Sequence, residues 1–250
     1  MMDLVCEERS ADSPFIERVW RNRSEDAGSF ISMAETHCEM VVTRCSGKVT
    51  MTVRGPETQA TPAYCPPEAE FLGIQFRLGT RIPYLPPSMV MNRHDVNLPE
   101  ASSQSFWLHG SVWEFPDFEN AETFVDRLVR AGLLIHEPLV NTVLQGQPPP
   151  ASVRTVQRRF LQATGLTHGI IRQIERARYA TILLKQGASI LDTVYQAGYA
   201  DQPHLTRSLK YYIGQTPAQI SSESKAEPLS FLFKTQEVML GYDPIVRSII

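Results

Sequence analysis

The sequence predicts an α+β protein, with a β-rich part over residues 1–117 and an all-helical part over 138–221. Three observations predict it. Short β-branched runs separated by Gly and Pro crowd the first part. From Asn120 onward, apolar residues recur instead at i, i+3 and i+4. Charge divides along the same line: residues 138–221 hold nine Lys and Arg against three acids, a balance of +6, so the remainder carries −9 of an overall −3. A basic helical module on an acidic body points to a polyanionic partner for that module alone.

The β-rich part opens with acids at Asp3, Glu7 and Glu8, where a signal peptide carries its basic and apolar regions. No run approaches the ~18 apolar residues of a membrane span, so a cytoplasmic chain without membrane contact is expected. Met40–Cys45 and Val49–Val53 flank Ser46-Gly47-Lys48, which reads as a hairpin with a three-residue loop. Turn signals follow at Gly55-Pro56 and Pro66-Pro67, and Glu70–Arg77 reads as a further strand ending before Gly79. Short strands at this spacing predict a small sandwich or barrel. Phe76, Tyr84, Trp107 and Trp113 are expected to fill its apolar core rather than line a ligand site. Cys6, Cys38, Cys45 and Cys65 are scattered without a C-x2-C or C-x4-C pair, so reduced thiols are expected. His37, His94, His109 and His136 stand far apart, and neither a metal nor another cofactor is expected.

Residues 118–137 read as a connecting helix, its stripe at 121, 124, 125, 128 and 129 closed by Gly132. That helix can pair with a second copy in a homodimer or pack against the β part. Pro138 fits the first position of a short helix to Leu144, ended by Gly146 and three prolines at 148–150. Ser152 caps a helix from Val153 to Ala163, with Gly165 as its stop. Val156 and Phe160 share one face of it, and Arg154, Gln157 and Arg158 lie toward the other. A longer helix covers Thr167 to Gln186, about 30 Å at 1.5 Å per residue, close to the ~34 Å repeat of B-DNA. Ser189 then caps a helix that holds Ile190 and Val194 inward, and Gly198 supplies a turn. Asp201 or Gln202 opens the next helix, which runs through Lys210 and ends near Gly214. Helix, Gly-containing turn and second helix with polar residues at its start form the helix-turn-helix pattern, which suits the major groove.

These residues resemble the DNA-binding domain of the AraC/XylS family of bacterial regulators. The first signature stands as Val156-Gln157-Arg158-Arg159-Phe160 followed by Thr164-Gly165-Leu166-Thr167. The linking helix matches at Arg176, Ala180 and Leu183-Leu184. The second signature runs from Gly198 to Lys210 and continues as Gly214-Gln215-Thr216-Pro217. The resemblance implies two helix-turn-helix units joined by a long helix, acting on double-stranded promoter DNA and meeting RNA polymerase there. It places Arg154, Gln157 and Arg158 on one recognition helix, and Gln202, His204, Thr206 and Arg207 on the other, as base readers. Such side chains suit the task, since Arg pairs with guanine O6 and N7 and Gln with the adenine edge. Arg159, Arg172 and Lys210 are expected at phosphates. The resemblance further implies a cupin-like N-terminal part that binds a small-molecule effector or dimerises. Two positions depart from the family: the three prolines before the first unit, and Tyr195 where a small residue is usual.

Two rival readings remain at this level. A DNA-repair alkyl-transfer enzyme carries the same reader beside a zinc-held reactive cysteine, which the cysteine spacing disfavours. A cupin-like binding or enzyme module with a residual DNA-binding part is the other. No G-x-S-x-G, P-loop, H-E-x-x-H or G-x-G-x-x-G occurs, so the chain is read as a non-enzyme. The tail, 222–250, holds the apolar run Leu229–Phe233, which is expected to fold back on the body.

Overall fold

The computed structural model describes residues 4–92, 96–149, 151–222 and 228–230. Alternation of inward and outward residues builds a six-stranded antiparallel sheet in the order β1-β2-β7-β4-β5-β9. Its strands are β1 (Leu4–Ser10), β2 (Ile16–Ser24), β4 (Glu39–Cys45), β5 (Lys48–Arg54), β7 (Ala69–Phe76) and β9 (Val96–Asn97). A separate ribbon pairs β3 (Gly28–Ser32) with β6 (Thr61–Cys65). A three-stranded sheet joins β10 (Glu100–Ser102), β11 (Ser105–Leu108) and β12 (Ser111–Glu114), and β8 (Thr80–Arg81) pairs with β13 (Ile135–His136). Two helices belong to this part, α1 (Pro87–Val90) and α2 (Ala121–Arg130).

The β4–β5 hairpin is tighter than its sequence pattern implies. Cys45 pairs with Lys48, which leaves a two-residue loop rather than three. Ser46 and Gly47 both have positive φ, 51° and 76°, the backbone of a turn whose twist matches the flanking strands.

The six-stranded sheet buries both faces, with different chemistry on each. One face carries Val19, Met40, Val42, Leu72 and Ile74 against Phe106, Trp113, Phe124, Val125 and Leu128. Burying a side chain such as Leu128 contributes roughly 1.5–3 kcal/mol, so α2 is held firmly on this core. Arg9 adds an ion pair to Glu122 and a hydrogen bond to the Phe118 carbonyl at 2.6 Å. Of the two roles open to this helix, packing against the β part is the one seen. The other face holds Trp20 and Val41 beneath Phe30 of β3, together with buried polar residues including Asn22, Thr52 and Gln75.

Phe76 and Trp113 are core residues, as expected, but Trp107 and Tyr84 are not. Trp107 is 43% exposed because it shares the outer side of its hairpin with Val112, one residue out of phase with buried Phe106. Tyr84 is 53% exposed and stacks on His109. Among the described residues no group of three His, Cys, Asp or Glu is placed to hold a metal ion, and His94 lies outside them. The start of the tail does fold back. Ile31 N–H donates to the Pro228 carbonyl at 2.9 Å, Ser230 N–H donates to Ile31 at 2.8 Å, and Leu229 packs on the helical core. Phe231, Leu232 and Phe233 lie outside the described residues.

Candidate nucleic-acid interface

Local capping chemistry sets the helices of the C-terminal part. The Ser152 side chain accepts from Thr155 N–H and opens α4 (Val153–Thr164). Thr167 does the same for α5 (His168–Lys185), Ser189 for α6 (Ile190–Gln196) and Asp201 for α7 (Gln202–Tyr212). Thr216 and Gln219 form a reciprocal capping box on α8 (Pro217–Ser221). The linking helix α5 has 18 residues, about 27 Å, slightly shorter than its pattern implies because Thr167 is a cap.

Before the first unit stands α3 (Leu139–Leu144), with Pro138 one position outside it. The prolines do not abolish this supporting helix. Val140 and Leu144 pack with Phe160, Ala163, Ile171 and Ile174 in one core. A second core joins Ala177, Leu184, Val194, Leu205, Leu209 and Ile220 from α5 to α8. Tyr195, 77% exposed, does not occupy the tight position at the second turn, and buried Ala197 turns inward there instead.

With the apolar residues inward, the expected readers fall on the open side. Arg154, Gln157 and Arg158 are all exposed on α4, one helical stripe at i, i+3 and i+4. On α7, Gln202, Arg207 and Lys210 are exposed and Thr206 is partly so. His204 is half-committed to packing, its ring edge-on to Tyr199 at 5.1 Å. Arg172 is exposed on α5. Arg159 is exposed but engaged: Nε and Nη2 donate to the two carboxylate oxygens of Glu137 at 3.1 and 2.7 Å.

Two side chains bear on this surface that were not among the expected DNA contacts. Arg176 donates to the Gly198 carbonyl at 3.4 Å and lies over the Tyr199 ring at 4.3 Å, so it braces the second turn against α5. Tyr199 in turn hydrogen-bonds Ser208 of α7 at 2.9 Å. Glu137 is the other, and its pairing with Arg159 spans 22 residues, outside the reach of any helical period.

The N-terminal part completes this scaffold. Met33 joins the α5–α8 core and Ala34 the α3–α5 core. Ala34 and Ala60 N–H donate to the Tyr212 and Tyr211 carbonyls at 2.8 and 2.9 Å, which satisfies the C-terminal end of α7. Among the described residues no helix is long and apolar enough to cross a membrane.

A family model described as a helix-turn-helix domain matches residues 150–222. The HTH-type transcriptional regulator RipA of Corynebacterium glutamicum is 31% identical over 94 residues, which are 37% of this chain and 28% of that protein's length. No solved structure matches the chain. Capped helices, the two cores and the family match agree, and residues 150–222 are a helix-turn-helix domain of the AraC type.

Proposed function

We propose that the protein is a sequence-specific, DNA-binding transcription regulator whose α4 and α7 enter two adjacent major grooves of promoter DNA. One observation carries this reading: two capped helices present Arg154, Gln157 and Arg158, and Gln202, Thr206 and Arg207, away from apolar cores that fix their opposite faces. Arg and Gln are the side chains that discriminate base edges, each good pair contributing about 1–3 kcal/mol. Arg172 and Lys210 add phosphate affinity, which depends on salt and not on sequence. RNA polymerase is the expected partner at the promoter. The β part is the regulatory half, responding to a small-molecule effector or supporting a homodimer.

The alkyl-transfer alternative requires a reactive thiolate. Burial, and then the nearby Glu39 and Glu35, push the Cys38 thiol up to about 12, so it is held protonated. Burial also raises the Cys65 thiol. Both shifts run against that chemistry.

Selection of sites from a random duplex library, with wild type and Arg207→Ala in parallel, tests the proposal. The expected result is an enriched motif of two elements about 10 base pairs apart, with one element blurred by the substitution. Enrichment of a single short element unaffected by Arg207→Ala removes the two-groove reading, and no enrichment removes sequence-specific binding.

A further inference from the structure

Along the chain, α4 meets the linking helix α5 through residues 165–167, with Gly165 at φ 73°. Phe160 and Ala163 packed on Ile171 and Ile174 steady that joint from one side. A short joint of this kind can still rock unless further contacts pin it.

The β part supplies the pins. The closest packing of α4 is with α3, α1 and β8, and the last two belong to the β part. Pro87 of α1 lies 2.8 Å from where a Cβ on Gly165 would stand, so the joint itself is filled. Val140 of α3 stands 3.0 Å from the same position on Gly79, and Glu137 N–H donates to the Gly79 carbonyl at 3.0 Å.

One strap, residues 31–36, reaches both units and the helix between them. Ile31 lies against Gly214 at the end of α7. Met33 is buried in the core of α5 to α8, and Ala34 in the core of α3, α4 and α5. Ala34 N–H also donates to the Tyr212 carbonyl of α7, so this one residue is fastened to both units. Glu35 and Thr36 then bind Arg178 and Glu175 of α5.

We propose that the strap, chiefly through Met33 and Ala34, fixes the separation of α4 and α7 and thereby sets the spacing of the two DNA elements. The inference rests on the two-groove reading and adds geometric specificity to it. Met33 and Ala34 are 3% and 0% exposed, so they act through the helices they hold and not by touching DNA. Adding one base pair between the elements displaces one of them by about 3.4 Å and turns it by about a tenth of a turn. Close-packed cores do not follow such a change smoothly, because interlocked side chains have discrete arrangements. Two units held by α5 and its joint alone would follow it more easily.

Site selection from a random duplex library with full-length wild type, Met33→Ala and Ala34→Val tests this, read as the distribution of spacings between the two enriched elements. Wild type should enrich one spacing, with neighbours one base pair away about tenfold rarer, the worth of one lost base contact. Met33→Ala loosens the α5–α8 core and Ala34→Val wedges the two units apart, so each should broaden or shift the distribution. The sequences of the elements themselves should not change. If neither variant folds, Thr36→Val, which removes only the bond to Glu175, carries the comparison. A residue that merely stabilised the fold would lower binding at every spacing alike, and an unchanged distribution in the folded variants overturns the proposal. A wild-type distribution already spread over several spacings overturns it without any variant. A single enriched element in wild type is a different failure: it removes the two-groove reading, and the strap's role falls with it.

Discussion

Arg178 of α5 donates from Nη1 to Glu35 Oε2 at 2.8 Å, which joins the helical part to the β part through a buried ion pair. Glu35 is closely held. Its other oxygen accepts from Thr36 N–H at 2.8 Å and His37 N–H at 3.2 Å, and His37 Nδ1 stands 2.9 Å away. Beside it, Thr36 Oγ1 donates to Glu175 of α5 at 3.0 Å. One turn of the linking helix, at Glu175 and Arg178, is thus anchored to one loop after β3.

Breaking that pair on one side should cost more than removing both partners. Glu35→Gln removes the carboxylate that pairs with buried Arg178, and a loss of about 3–5 kcal/mol is expected in urea unfolding. Arg178→Met should cost a similar amount, while the double variant should cost clearly less than the two losses combined. Strict additivity would show that the two residues are not coupled.

The pH dependence of stability follows from opposing shifts in the same cluster. Burial pushes the Glu35 carboxyl up, but Arg178, His37 and Arg18 outweigh it and hold it well below the usual range. Its contribution is present above the ordinary carboxylate value and is lost only as strong acid reaches the lowered one. For His37, burial lowers the imidazole, but Glu35, Glu17 and Glu175 outweigh it and the net shift is upward. That contribution is full below the ordinary value of 6.5 and is lost as pH rises through the raised one. Burial also raises Glu39 and Glu175, which favours the fold at lower pH in the same sense. Maximum stability is therefore expected on the acid side of neutrality. His37→Gln should flatten the decline above it in unfolding measured across pH, and an unchanged decline would remove His37 from the explanation.

If Arg159 is a phosphate contact, Glu137 competes with DNA for it. Their bidentate pair is partly exposed, so it contributes at most about 1 kcal/mol and can open. Glu137→Gln should strengthen binding to random duplex. If Arg159 then meets a phosphate, the slope of log affinity against log salt should steepen by about 0.9. Unaltered affinity and slope would leave Arg159 as a brace between α4 and the segment before α3.

Gly214 ends the second unit at φ 85°, with Ile31 of β3 2.7 Å and Ala60 3.2 Å from where a Cβ would stand. Gly214→Ala meets both backbone strain and a clash with the β part, and a loss of about 1–3 kcal/mol is expected in thermal unfolding. Tolerance without loss would mean that the β part shifts freely away from α7.

Much of the helical part was legible because its signals are local. Ser152, Thr167, Ser189 and Asp201 each satisfy an N–H three residues on, and the apolar stripes of α4 and α7 repeat within one or two turns. The exposed side of those helices follows once the buried side is known, so Arg154, Gln157, Arg158 and Arg207 could be placed before any tertiary contact was seen. The β part was less legible. The hairpin at Ser46-Gly47 and the outward turn of Trp107 depend on register, and a shift of one residue exchanges the two faces of a strand.

The sequence by itself determined the capped helices, their polar stripes and the basic module they form, since each rests on residues a few positions apart. Only the tertiary structure decided that Glu137 holds Arg159, that Asn22 is buried with no side-chain hydrogen-bond partner among the described residues, and that Glu35 grips Arg178 from 143 residues away. A salt bridge or an orphaned amide is a property of two chain segments meeting. It leaves no periodicity in either segment, and only the packing of the sheet against the linking helix brings it about.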